Sequence, residues 1–208
     1  MPAAEPDCRT MARAERAALA EFLGTLSPAD WDAPTLCAGW AVRDVVAHLV
    51  SYEDLSPLAL VRRLARGGAT ANEIGIAALR QRAPDELLEL VRNRLDTRGL
   101  TAAFGGRIAL TDGLIHHQDI RRSFGRPREI PADRLRVVLD FARTPPPIGA
   151  RQRIKGLTLR ATDLDWSTGR GPLVEGPAEP LLMALAGRAG AVAELGGDGA
   201  AILAGRTG

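Results

Sequence analysis

The chain has three histidines, and their placement carries its first chemical signal. His116 and His117 stand in ALTDGLIHHQDIRRSFG, with Asp112 four residues before His116. His48 stands in TLCAGWAVRDVVAHL. Both stretches have helical periodicity. An Asp and a His at i and i+4 share one face of a helix, and a histidine on a neighbouring helix can add a second imidazole. Three such ligands leave a position for water or substrate, as in reactive rather than structural metal centres. Two imidazoles and a carboxylate suit zinc and also accept iron, nickel or manganese. His48, Asp112 and His116 are therefore the candidate metal ligands. The alternative for each histidine is a hydrogen-bonded core residue.

The helix phase sorts the neighbours. At about 100° per residue, Ile108, Asp112, Ile115, His116 and Asp119 fall on one arc. Acids on an apolar arc need a partner, because an unpaired buried charge is costly. A metal supplies one, and an arginine is the alternative. His117 points about 100° away from His116, so it reads as a packing or surface residue. Asp119 is a reserve ligand, better suited to hydrogen bonding or capping. His48 falls at the edge of the stripe made by Val42, Val45, Val46, Leu49 and Val50. Asp44, one turn earlier, either orients the His48 ring as an outer acceptor or pairs with an arginine. Cys37 precedes this helix in a Pro/Thr/Gly loop, where a thiolate can be stabilised. Its alternative role is a small buried hydrophobe. A disulfide with Cys8 is possible by count, although the cytosol would keep both thiols reduced.

The elements that must position these groups follow from periodicity. Helices are expected over 10–26, from about Trp40 through Val50, over 55–66, 72–82, 84–96, 107–124 and 132–142. Ser27-Pro28 should start a short helical turn presenting Trp31. The run Pro145–Pro147 is stiff and extended, which makes it a domain boundary. Beyond it, 156–162 alternates as a strand and 165–174 reads as its partner. Residues 180–188 form a short apolar helix, and the AAILA run at 200–204 reads as a short strand. This C-terminal part is a small α+β module.

Composition narrows the function classes. The 208 residues are 46% apolar, enough for a sizeable core. The net charge is +2 with acids and bases interspersed, and aromatics make up 4%. A nucleic-acid groove with stacking platforms is therefore not expected. No apolar run approaches the roughly 18–20 residues of a membrane span, and the N-terminus lacks the apolar core of a secretory signal. A cytoplasmic protein, monomer or homodimer, is the expectation.

LSPADWDAPTLCAGWAVRDVVAHL resembles the signature of the mycothiol-dependent maleylpyruvate isomerase family, within the DinB-like metal-binding superfamily. Its Thr-x-Cys-x-Gly-Trp is followed by Arg-Asp and then His-Leu. DGLIHHQDIRRSFGRP resembles the family's second metal segment, and PLLMALAGR with GGDGAAIL its small C-terminal domain. The resemblance implies a mainly α protein: a DinB-like up-down-down-up four-helix bundle over residues 1–145, then a small α+β domain over 150–208. It implies that His48 and His116 ligate the metal, with Asp112 where the isomerase itself has a glutamate. It gives Arg188, in ALAGR, a catalytic role at a substrate or thiol carboxylate, since arginine binds carboxylates bidentately. A helix C-terminal cation opposite the macrodipole is the alternative for Arg188. The implied cofactors are a divalent metal, with zinc first, and mycothiol. The implied partners are a low-molecular-weight thiol and a small electrophile, joined by an isomerase or S-transferase. The competing class is a non-catalytic metal- or ligand-binding protein in stress response.

Overall fold

Asp7 opens the first helix, α1 (Cys8–Leu23), by accepting the Thr10 N–H at 3.1 Å in the computed structural model, which describes residues 7–207. The start of the N-terminal stretch read above lies outside those residues. α1 ends at Gly24, earlier than its periodicity suggested, and buries Ala12, Leu19, Phe22 and Leu23. Ser27 and Asp30 then cap each other's backbone around a short 3-10 turn, Pro28–Asp32, which buries Trp31. α2 (Val42–Val50) follows, with all five residues of its apolar stripe buried.

α3 (Pro57–Leu64) starts on a Ser56 cap with Pro57 at its first position. α4 (Gly68–Leu79) begins four residues before the expected Asn72, because Gly67 turns the chain at φ +88° and the Ala-Thr-Ala that follows continues the helix. α5 (Pro84–Arg92) is shorter than expected. α6 (Arg107–Ser123) starts after Gly106, whose φ of +91° sets the turn into the helix.

α1 and α2 each pack on both α5 and α6, so these four helices close a ring. Leu19, Phe22, Leu23, Val45, Val46, Leu49, Leu87, Val91 and Ile120 fill it together with Trp31. Each fully buried Leu or Val contributes about 1.5–3 kcal/mol. α4 packs on α2, with α3 alongside α4. Arg63 fastens this hairpin. Its Nε donates to the Ala71 carbonyl at 2.7 Å, Nη1 to the Ser51 carbonyl at 2.7 Å, and Nη2 to Ser51 Oγ at 2.8 Å.

Contacts gather the chain into two units, Met1–Pro127 and Arg128–Gly208. The division therefore falls at Pro127/Arg128 rather than at the triproline. α7 (Ala132–Ala142), expected to close the first domain, packs on α9 (Ala178–Leu185) in the second unit through its face of Leu135, Val138, Leu139 and Ala142. Trp166 Nε1 also donates to Asp140 Oδ1 at 3.0 Å. The triproline stretch is largely a 3-10 turn, Pro146–Ile148, leading into α8 (Ala150–Arg153).

The second unit has one sheet of order β2-β1-β3: β1 (Thr158–Ala161), β2 (Ser167–Gly169) and β3 (Leu173–Gly176). β2 pairs antiparallel and β3 parallel to β1, with Leu159 opposite Thr168 and Val174. The expected single partner strand over 165–174 is thus two strands. Gly169 and Gly171 break it at φ +83° and +131°, and a Cβ on Gly171 would lie 2.0 Å from the Gly156 carbonyl oxygen. α9 covers the sheet with Leu181, Leu182, Met183 and Leu185 fully buried. α10 (Ala189–Val192) follows. The AAILA run expected as a strand is α11 (Ala200–Ala204), since its alanines favour helix and it buries only Leu203. No helix among the described residues is long and apolar enough to cross a membrane.

Candidate metal centre

α2 and α6 carry the three candidate ligands to one place. Asp44 fixes the start of α2: its Oδ2 accepts the Ala41 N–H at 3.1 Å, and both its oxygens accept from Arg80 at 3.1 and 2.9 Å. Of the two roles open to Asp44, the structure takes the arginine pair. The acceptor does not reach the His48 ring, whose Nδ1 is buried with no hydrogen-bond partner among the described residues. The other ring nitrogen, Nε2, faces Asp112 Oδ2 at 3.4 Å.

On α6, His116 Nε2 lies 3.5 Å from Asp112 Oδ1. The donor atoms of His48, Asp112 and His116 all fall within 4.8 Å of one another. The two imidazoles meet edge to face, with ring centroids 4.9 Å apart. Both histidines are 8% exposed, whereas the Asp112 side chain is 36% exposed and opens the group to solvent. Burial alone would raise the Asp112 carboxyl, but the charges and hydrogen bonds of His48 and His116 hold it well below the usual range. Burial alone would lower His116. The Asp112 charge together with hydrogen bonds to Asp112, Asp119 and Cys37 outweighs that and holds it well above its ordinary value.

The spacing is informative. A charge-assisted N–H···O bond runs about 2.7–2.9 Å. Two ligands held at about 2.0–2.1 Å on a tetrahedral ion stand roughly 3.4 Å apart. The contacts of 3.4 and 3.5 Å match the second figure. On the far side of the ring, His116 Nδ1 meets Asp119 Oδ2 at 2.9 Å, a hydrogen-bond length. Such a carboxylate contact fixes the tautomer of a ligating histidine and raises its basicity. The donor set, its spacing and this outer carboxylate all fit a divalent cation.

His117 turns away, as the helix phase required. It is fully buried, with Nδ1 2.8 Å from Glu15 Oε1, and Nε2 accepting from Arg121 Nε at 2.8 Å. Asp119 hydrogen-bonds His116 Nδ1, and the potential ligand atoms of Cys37, His116 and Asp119 also lie within 4.8 Å of one another. Cys37 and Cys8 are unbridged. Cys37 is half-buried, 3.0 Å from Asp119 Oδ2, and so belongs to the surroundings of the centre. Arg188 lies in the second unit, where its Nη1 donates to the Ala186 carbonyl at 2.8 Å, at the end of α9.

Two aromatic side chains wall the site. The Trp40 ring lies 5.1 Å from His48 and 6.0 Å from His116. Tyr52 meets His48 edge on at 6.0 Å. α4 braces both: Trp40 Nε1 donates to Glu73 Oε1 at 3.3 Å, and the Tyr52 hydroxyl to Asn72 Oδ1 at 2.7 Å. Arg63 stacks 3.8 Å over Tyr52. Tyr52 was legible as the i+4 neighbour of His48, whereas Trp40 precedes α2 and has no helical phase. A cavity of about 350 Å³ nearby, among Val50, Leu55, Ile74 and Leu79, includes none of the three ligands.

Residues 12–99 match the mycothiol maleylpyruvate isomerase N-terminal domain. The match contains His48 and stops before Asp112 and His116. No curated protein matches the chain. Among solved structures, the chain is similar to a mutant of the mycothiol-dependent maleylpyruvate isomerase in which a histidine is replaced by alanine. The TM-score is 0.61 at 16% identity, covering 92% of this chain and 91% of that one. A second structure of a mycothiol-dependent maleylpyruvate isomerase gives 0.55 at 16% identity, covering 87% and 88%. At that identity the likeness establishes a shared fold, mainly α with a small α+β part at the C-terminus.

Proposed function

We propose a metal- and thiol-dependent enzyme acting on a small electrophile, a reading supported by the match of residues 12–99 to the mycothiol maleylpyruvate isomerase N-terminal domain. The observation that carries the reading is the convergence of His48, Asp112 and His116 at ligand spacing. His48 Nε2, the Asp112 carboxylate and His116 Nε2 would hold one divalent ion, zinc by donor type, with a position left for a ligand. A bound ion supplies the positive charge that keeps a small-molecule thiol, mycothiol in this reading, as thiolate at neutral pH.

The chain's own groups do the rest. Asp119 holds the His116 ring with Nδ1–H toward itself and leaves Nε2 free. Trp40 and Tyr52 exclude water from the flank of the His48 ring. Asp112, the most exposed of the three, marks the side from which thiol and substrate enter. Arg188 is assigned to a carboxylate of the thiol or substrate. Thiolate addition to an activated double bond leaves a rotatable single bond. Expulsion of the thiolate after rotation makes the reaction an isomerisation, and protonation of the adduct carbanion by solvent, with the thiol retained, makes it an S-transfer. The cytoplasm, where such thiols are kept reduced, is the setting that fits.

The test is elemental analysis of untagged protein, followed by mycothiol binding to metal-loaded and metal-stripped forms. One divalent ion per chain and tighter thiol binding by the loaded form are expected, with Asp112→Asn losing most of the metal. A chain that takes up no zinc, iron, nickel or manganese overturns the proposal. One that binds metal but neither thiol nor electrophile is a binding protein instead.

A further inference from the structure

Cys37 reaches the His116 ring from the side opposite the metal ligands. Its Sγ lies 3.0 Å from Asp119 Oδ2 and 3.5 Å from His116 Nδ1, and the same Oδ2 lies 2.9 Å from Nδ1. The loop bearing Cys37 is held in place by its backbone. The Cys37 N–H donates to Thr35 Oγ1 at 3.2 Å, Trp40 N–H donates to the Cys37 carbonyl at 3.0 Å, and Leu36 N–H donates to the Asp119 carbonyl at 3.4 Å. The thiol is therefore fixed against a fully buried carboxylate. One oxygen of that carboxylate accepts from both an imidazole N–H and a thiol.

A carboxylate on the far nitrogen of a ligating histidine strengthens the histidine as a donor to metal. A second donor on the same oxygen draws density from the first bond. The contacts to Oδ2 are hydrogen-bond lengths. A cation between sulfur and oxygen, at about 2.3 and 2.0 Å from them, would hold the two roughly 3.5 Å apart. We infer that Cys37 is a positioning residue for the metal centre: its thiol shares the Asp119 carboxylate with His116 and so limits how strongly His116 donates. The inference rests on the metal reading above and extends it to a residue that touches neither metal nor substrate.

Two measurements test it on the full chain. In metal-free protein, the His116 Nδ1–H proton resonance should move downfield in Cys37→Ala and stay near its wild-type position in Cys37→Ser, which restores a donor. In cobalt-loaded protein, Cys37→Ala should bind metal more tightly by roughly three- to tenfold, a fraction of the 10–100-fold carried by an outer partner, with a shifted visible spectrum. Asp119→Asn should move affinity the other way. A residue that only fills space would weaken binding or leave it alone in Cys37→Ala.

An unmoved Nδ1–H resonance, or weaker or unchanged cobalt binding in Cys37→Ala, overturns the inference. So does a sulfur-to-cobalt charge-transfer band in the wild type that Cys37→Ser removes, since Cys37 would then be a ligand. If the wild type takes up no cobalt but the Nδ1–H resonance moves, the shared acceptor is supported and the metal reading alone fails.

Discussion

Adjacent histidines with opposite roles give the sharpest test of the site. His116 and His117 are neighbours on α6, yet one faces Asp112 and the other Glu15. A ligand that binds only the native state adds RT ln(1 + [L]/Kd) to stability, about 2.7 kcal/mol at one hundred times Kd. Each kcal/mol moves the midpoint of a domain of this size by roughly 3–4 °C, so saturating zinc should raise the wild-type midpoint by roughly 10 °C. His116→Ala removes one ligand and should abolish most of that rise.

His117→Gln should keep it. The amide can still donate toward Glu15, but losing the fitted Glu15–His117–Arg121 chain should lower the metal-free midpoint, because buried polar groups left unsatisfied cost about 1–3 kcal/mol each. Calorimetry with and without zinc separates the two effects: His117→Gln shifts the baseline and His116→Ala shifts the increment. The reverse pattern, with the increment lost in His117→Gln and kept in His116→Ala, would refute the helix phase and the ligand set.

Three further outcomes are expected. Gly75→Ala should cost about 1–3 kcal/mol by overpacking, because its Cβ would stand 1.9 Å from Arg63 Nη2. Urea unfolding measures this, and an unchanged midpoint means Arg63 does not fasten the α3–α4 hairpin. Burial raises the Glu53 carboxyl above its ordinary 4.5, and the Arg16 charge only partly counters this. Its folded form thus favours the proton, and wild-type stability should fall relative to Glu53→Gln as pH rises from about 4.5 through the raised value. Parallel stability–pH curves for the two proteins would contradict this. Arg188→Ala should raise KM or lower kcat in a thiol-dependent assay while metal content holds. Unchanged kinetics would remove Arg188 from the catalytic reading.

The ligand cluster was legible because it depends on local phase. An i, i+4 pair on α6 and a residue at the edge of the α2 stripe need little tertiary information, and the same rule turned His117 away from His116. Asp44 was ambiguous for the opposite reason. Its partner, Arg80, lies 36 residues away, and no local pattern announces it. Trp40 and Cys37 sit on the loop before α2, where periodicity is silent and position depends on long-range contacts with α4 and α6. The C-terminal strands went astray at glycines. Gly169 and Gly171 adopt positive φ that an alternating pattern cannot express, and the AAILA run follows alanine's helical preference over its brief apolar alternation. The domain boundary followed composition in the sequence and packing in the structure, so α7 changed sides.

The aromatic rings beside His48 are braced by a hairpin that supplies none of the three ligands. Glu73 and Asn72 of α4 hold Trp40 and Tyr52, and Arg63 of α3 stacks on Tyr52. Metal chemistry and the shape of its surroundings are therefore encoded in separate segments. Exchanging residues 57–79 for a hairpin of different side chains would remodel which molecules fit against the rings while leaving the ligand atoms untouched. A library confined to that stretch could alter substrate range without sacrificing the ion.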